Sequence, residues 1–140
     1  MYKYTLLYIE DNQANLELVQ ALLERRDDVS LLSAADGNQG LRLARAHGPD
    51  VILLDINLPD MNGMDLMRTL RADPATVHIP VMALSSNAFP RQIEKGSEAG
   101  FSRYMTKPFG FAEFTDALDA LLRQAAQHRA ATPAPGGALS

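Results

Sequence analysis

The chain has 140 residues, a formal charge of -4 at pH 7 and 46% hydrophobic residues, enough for one globular domain with a core of its own. Its 13 basic residues are scattered, which excludes a surface that grips nucleic acid through phosphates, and the lack of cysteine excludes disulfides, thiolate metal sites and a cysteine nucleophile. The opening apolar run, about five residues, is too short for a signal-peptide core or a bilayer span, so the expectation is a cytoplasmic domain that touches no membrane.

Taken in chain order, short apolar runs alternate with segments of helical spacing. Thr5 to Ile9 reads as a strand and is followed by Glu10-Asp11; Asp11 or Asn12 then caps a helix carrying Leu16, Val19, Leu22 and Leu23. Val29 to Ser33 is a more polar strand, and Asp36 caps the next helix. Val51 to Leu54 is a continuous apolar run ending at Asp55, before a helix with Leu66, Met67 and Leu70 on one face. Val81 to Leu84 leads to Ser85-Ser86, and Pro90 fits the first turn of a helix to Glu98, the weakest of the set because Gly96 costs about 1 kcal/mol against Ala. Arg103 to Met105 is a short polar strand ending near Lys107-Pro108. The last helix carries Phe111, Phe114, Leu118, Leu121 and Leu122 at helical spacing and ends near Gln124. The expected domain is 1–127; the small residues, prolines and glycines of 128–140 read as a disordered tail or linker.

Five such pairs predict an α/β fold, (βα)5, with a doubly wound parallel sheet covered on both faces, because parallel strands need crossover connections. Apolar runs suit the centre and polar runs the edges, which matches the flavodoxin-like strand order 2-1-3-4-5 with its crevice at the C-terminal ends of strands one and three. Glu10-Asp11, Asp55, Ser85 and Lys107 then converge on that crevice.

Alone, an acidic pair after a strand only complements a helix dipole, and a serine or lysine there is a turn hydroxyl or a solvated charge. Asp55 differs, because it follows a buried strand where an unpaired charge is costly. Three converging carboxylates repel one another and need a cation; oxygen-only ligands select a hard ion, and Mg2+ fits better than Zn2+. With Lys107, such a site is neutral before reaction and able to accept a phosphoryl group on an aspartyl oxygen. His47, His78 and His128 show no partner spacing and are read as non-ligands.

Four segments together resemble the receiver domains of two-component response regulators: Glu10-Asp11-Asn12, the stretch from Leu53 to Gly63, the stretch from Ala83 to Ala88, and Tyr104-Met-Thr-Lys-Pro-Phe109. The resemblance runs from about Tyr4 to Arg123. It implies that Asp55 is the phosphoacceptor, with Ser85 and Lys107 contacting the phosphoryl group. It further implies that Asp11, Asp55 and the Asn57 backbone carbonyl ligate Mg2+, Glu10 acting through a metal-bound water, and that Ser85 and Tyr104 form the switch. The implied donor is a histidine kinase or histidine phosphotransfer domain. The implied output is a downstream protein or a homodimer on the surface of segment 90–98, the fifth strand and the last helix. The protein is then a signalling phosphoacceptor that promotes its own phosphorylation and dephosphorylation rather than a dedicated enzyme. With no DNA-binding segment read after the last helix, the expectation is either a single-domain regulator or a receiver cut from a longer protein, and the Glu-Asp-Asn-x-x-Asn opening with the Ala-Leu-Ser-Ser-Asn-Ala stretch leans toward receivers attached to hybrid histidine kinases.

Two rivals fit less well. A haloacid-dehalogenase-type phosphatase usually needs a second Asp two residues after the nucleophile, where this chain has Asn57. A flavin binder of the same topology needs a phosphate-binding loop after strand one, where Glu10-Asp11 would repel the phosphate.

Overall fold

A computed structural model describes residues 3–56, 58–85, 101–106 and 109–131, the last three without side-chain detail. Within them lie five strands, β1 (Tyr4–Ile9), β2 (Val29–Ala34), β3 (Val51–Asp55), β4 (Val81–Ser85) and β5 (Arg103–Thr106). Four helices accompany them: α1 (Gln13–Leu23), α2 (Gly37–His47), α3 (Gly63–Ala72) and α4 (Phe111–Ala131). All strand pairs are parallel, in the order β2-β1-β3-β4-β5, as the run polarity predicts. The helix expected over 90–98 lies outside the described residues.

The period-two alternation of each strand divides the core between two faces. Leu6, Tyr8, Leu53, Met82 and Leu84 face α1 and α4, meeting Val19, Leu23, Phe114, Leu118 and Leu121. Leu7, Ile9, Ile52, Leu54 and Ala83 face α2 and α3, meeting Ala44, Leu66, Met67 and Leu70. β3, central and buried along its whole length, has no polar residue before Asp55. Each fully buried leucine contributes about 1.5–3 kcal/mol, so the apolar run fixes the sheet and leaves its one carboxylate at the strand end.

Helix starts follow the side chains that cap them. Asn12 Oδ1 accepts from Asn15 N at 3.0 Å, so of the two candidates Asn12 is the α1 cap and Asp11 is left out of it. Asp36 caps α2 through Gln39 N, and Gly48 ends α2 with φ 54°, a left-handed turn that glycine adopts without a Cβ penalty. Helix α4 runs to Ala131, beyond the expected end near Gln124 and past the 127 boundary. Its alanine-rich last turns favour helix, and His128 there stacks on His78 with ring centroids 4.3 Å apart. Fifty residues separate the two histidines, so sequence spacing could not pair them.

Candidate phosphoacceptor site

Register brings the acidic residues together. Ile9 pairs with Leu54 across β1 and β3, so Glu10 and Asp55 stand at the next step of adjacent strands. Glu10, Asp11 and Asp55 each offer a carboxylate oxygen within 4.8 Å of the others. Glu10 and Asp55 are buried, at 3% and 6% exposure, whereas Asp11 is exposed and leaves the cluster open to solvent. Repulsion between unit charges at such spacing is on the order of 3 kcal/mol per pair near a protein surface, which a bound cation would reverse. The donor set is all oxygen, one exposed and two buried, and suits a hard ion that keeps part of its water; the residues fit Mg2+.

Glu10 is held by neighbours to which the sequence reading gave no role at this carboxylate. Its Oε1 accepts from Asn12 N at 3.2 Å and from Asn15 Nδ2 at 3.0 Å, and its Oε2 accepts from the Tyr8 hydroxyl at 3.4 Å. Asn12 and Asn15, three apart at the start of α1, share one side of the helix, which was the available signal for Asn15. Tyr8 carried no signal beyond its place in an apolar strand. Burial, then the Glu10 and Asp55 carboxylates, hold its phenol protonated far above the usual range.

Ser85 is buried at the end of β4, one residue beyond Leu84, the register partner of Asp55. Tyr104 is half-buried on β5 opposite Ala83, against the core shared with α2 and α3. Alternation along β4 puts Ser85 on that same face. Asn57 and Lys107 lie outside the described residues.

The loop after Asp55 is closed at its base, where Gly63 N donates to Ile56 O at 2.9 Å. A Cβ at Gly63 would stand 2.8 Å from Ile56 Cα, so the closure requires glycine. Farther along the loop, Asp60 reaches α2: Oδ1 accepts from Gly37 N at 2.8 Å and Oδ2 from Asn38 N at 3.0 Å. Nothing in the spacing of Asp60 and Gly37, 23 residues apart, announces this contact.

A five-stranded parallel sheet with three clustered carboxylates at the ends of its first and third strands defines a doubly wound α/β domain with an acidic crevice. Residues 6–119 match the family model of the response regulator receiver domain, and the chain belongs to that family. It is 31% identical over 121 residues to the polar-differentiation response regulator DivK of Brucella anthropi, covering 86% of this chain and 98% of that one. Among solved structures, it resembles the receiver domain of the sensor histidine kinase PA1611 from Pseudomonas aeruginosa, which has a magnesium ion coordinated in its active-site cleft. That likeness has a TM-score of 0.76 at 32% identity, covering 88% of this chain and 98% of the other. The receiver domain of a histidine kinase from Syntrophus aciditrophicus matches with a TM-score of 0.77 at 27% identity, covering 86% and 90%.

Proposed function

We propose that this receiver takes a phosphoryl group onto Asp55 from a phosphohistidine of a histidine kinase or phosphotransfer protein. The observation that carries the reading is a buried strand-end carboxylate within 4.8 Å of two others, one of them open to solvent. An Asp55 oxygen attacks phosphorus in line; the new P–O bond forms as the donor's P–N bond breaks, and the imidazole nitrogen departs with the electron pair. Mg2+, held by Asp11, Asp55 and the Asn57 carbonyl with Glu10 behind a bound water, would neutralise the charge on the transferring group. In this reading Ser85, at the end of β4, and Lys107 contact its oxygens. Three carboxylates against one divalent ion and one lysine leave the site neutral before transfer, and the nucleophile is an ionised carboxylate with no proton to give up, so no separate base is needed. The same site hydrolyses its aspartyl phosphate, which makes the protein a signalling phosphoacceptor rather than a dedicated enzyme.

Output passes through Ser85 and Tyr104 to the surface of segment 90–98, β5 and the exposed side of α4, where a downstream protein or a second copy binds. The acidic net charge supports a protein partner over nucleic acid. No described helix is long and apolar enough to cross a membrane, and a receiver fed by a histidine kinase acts in the cytoplasm. The receiver in this reading spans residues 1–127, with α4 continuing to Ala131 before the remainder of the chain forms the tail or linker.

The test is intact mass after incubation with acetyl phosphate and Mg2+. Wild type gains one phosphoryl group and Asp55→Asn gains none. A gain that persists in Asp55→Asn would sink the assignment.

A further inference from the structure

We propose that Asp60 is a positioning residue for the acidic site, acting by clamping the loop after Asp55 onto the first turn of α2. The inference rests on the metal reading above and deepens it. A helix start leaves four backbone N–H groups without partners inside the helix. In α2 the first bond of the helical pattern runs from Gly40 N to Asp36 O, and of the three N–H groups between them Gln39 N is met locally, by Asp36 Oδ1. The other two, Gly37 N and Asn38 N, donate to the two carboxylate oxygens of Asp60, which belongs to a different segment. The positive end of the α2 dipole adds to this charge-assisted pair of bonds.

Packing supports the clamp. The loop residue next to Asp60, Met61, lies so close to α2 that a Cβ at Gly37 would stand 2.5 Å from Met61 Cγ and 2.6 Å from its Sδ. The loop is thus held at its base, between Ile56 and Gly63, and at Asp60. That loop is one wall of an open groove of about 470 Å3, lined by Asp11, Ile56, Leu58, Pro59, Asp60 and Met61. Asp11, the exposed member of the carboxylate cluster, thus faces a surface whose position Asp60 sets. Metal sites lose affinity when the groups that orient their surroundings are removed, typically 10- to 100-fold for a direct partner of a ligand. Acting through a loop, Asp60 is expected to matter less, with a loss of about 3- to 10-fold on its removal.

The experiment titrates Mg2+ against wild type, Asp60→Ala, Asp60→Asn and Asp36→Ala by calorimetry, with amide exchange at Gly37 and Asn38 measured in parallel. Asp60→Ala exchanges faster at both amides and binds Mg2+ at least threefold more weakly. Asp60→Asn, which keeps one acceptor oxygen, falls between it and wild type. Asp36→Ala removes the local α2 cap without touching the loop and binds Mg2+ as wild type does, which separates positioning from simple fraying of α2. Affinity of Asp60→Ala within twofold of wild type, or an equal loss in Asp36→Ala, overturns the proposal alone. A wild type that binds no Mg2+ overturns the metal reading and this inference together.

Discussion

The Tyr8 hydroxyl donates to Glu10 Oε2 at 3.4 Å, so a fully buried phenol in β1 supports a carboxylate of the acidic cluster from two residues away on the same strand face. Because burial and the nearby carboxylates keep Tyr8 protonated, it remains a donor throughout the pH range in which the protein is folded. Tyr8→Phe preserves the ring packing and removes only this donor. The expected cost is about 1–2 kcal/mol, the range for a buried acceptor that loses one partner. Urea denaturation at pH 7 without metal measures it; equal stability would mean that the contact contributes nothing net.

Clustered carboxylates destabilise the metal-free protein, so Mg2+ should raise its stability. At ten times the dissociation constant, ligand linkage gives about 1.4 kcal/mol. Asp11→Ala should lose more of this gain than Glu10→Gln, because Asp11 is the exposed carboxylate while Glu10 is already engaged by Asn12, Asn15 and Tyr8. Thermal unfolding with and without Mg2+ decides the order. A larger loss in Glu10→Gln would reverse the ligand assignment.

The sheet was legible because strand burial is written in composition: Val51 to Leu54 reads as central and Val29 to Ser33 as an edge, and both take those places. The clustering of Glu10, Asp11 and Asp55 followed from that register. What escaped were contacts between distant segments that no periodicity encodes. Asp60 on α2, His78 on His128, and Arg26 bridging Asp28 and Asp119 join residues whose types are ordinary for exposed turns and helix ends. The longer α4 was missed because the prolines and glycines at 133–137 were weighed over the alanine-rich turns before them, which favour helix, and the stacking against His78 is visible only in three dimensions.

That histidine stack carries a pH dependence. Burial, then the neighbouring His128 and Arg71, hold the His78 imidazole below its ordinary value. The unfolded chain therefore binds the proton more readily than the folded one, so this contribution to stability is complete above about pH 6.5 and is lost as pH falls through the depressed folded value. The effect is small because both rings are largely exposed. Asp28, Asp60 and Asp73 are held below the usual carboxylate range by Arg26 and by backbone N–H groups, so their losses fall at more acidic pH. Between pH 7.5 and 5.5, His78→Asn should lose less stability than wild type in urea unfolding. Parallel curves for the two proteins would remove the stack as the cause.

The switch reading gives the last prediction. Ser85 and Ala83 alternate onto one face of β4, and Tyr104 on β5 stands opposite Ala83, so serine and tyrosine lie on adjacent strands, offset by two residues, on the same side of the sheet. Ser85 is buried and Tyr104 only half-buried, which leaves the ring room to move when the space beside it changes. A phosphoryl group on Asp55 adds about -1.5 to -2 charge and three acceptor oxygens at the end of β3, next to β4 in the sheet. Drawing the Ser85 hydroxyl toward it opens space on the face that Tyr104 occupies, and the two states need differ by only a few kcal/mol for this to bias them. Ser85→Ala should therefore still accept the phosphoryl group while transmitting it poorly, and Tyr104→Ala should blunt the response in the same segment. Amide exchange over residues 86–105, with and without a beryllofluoride mimic of the phosphoryl group, compares the three proteins. Wild type should show a change across that segment that is at least halved in both variants; an equally large and equally placed change in Ser85→Ala would show that the signal does not pass through its hydroxyl.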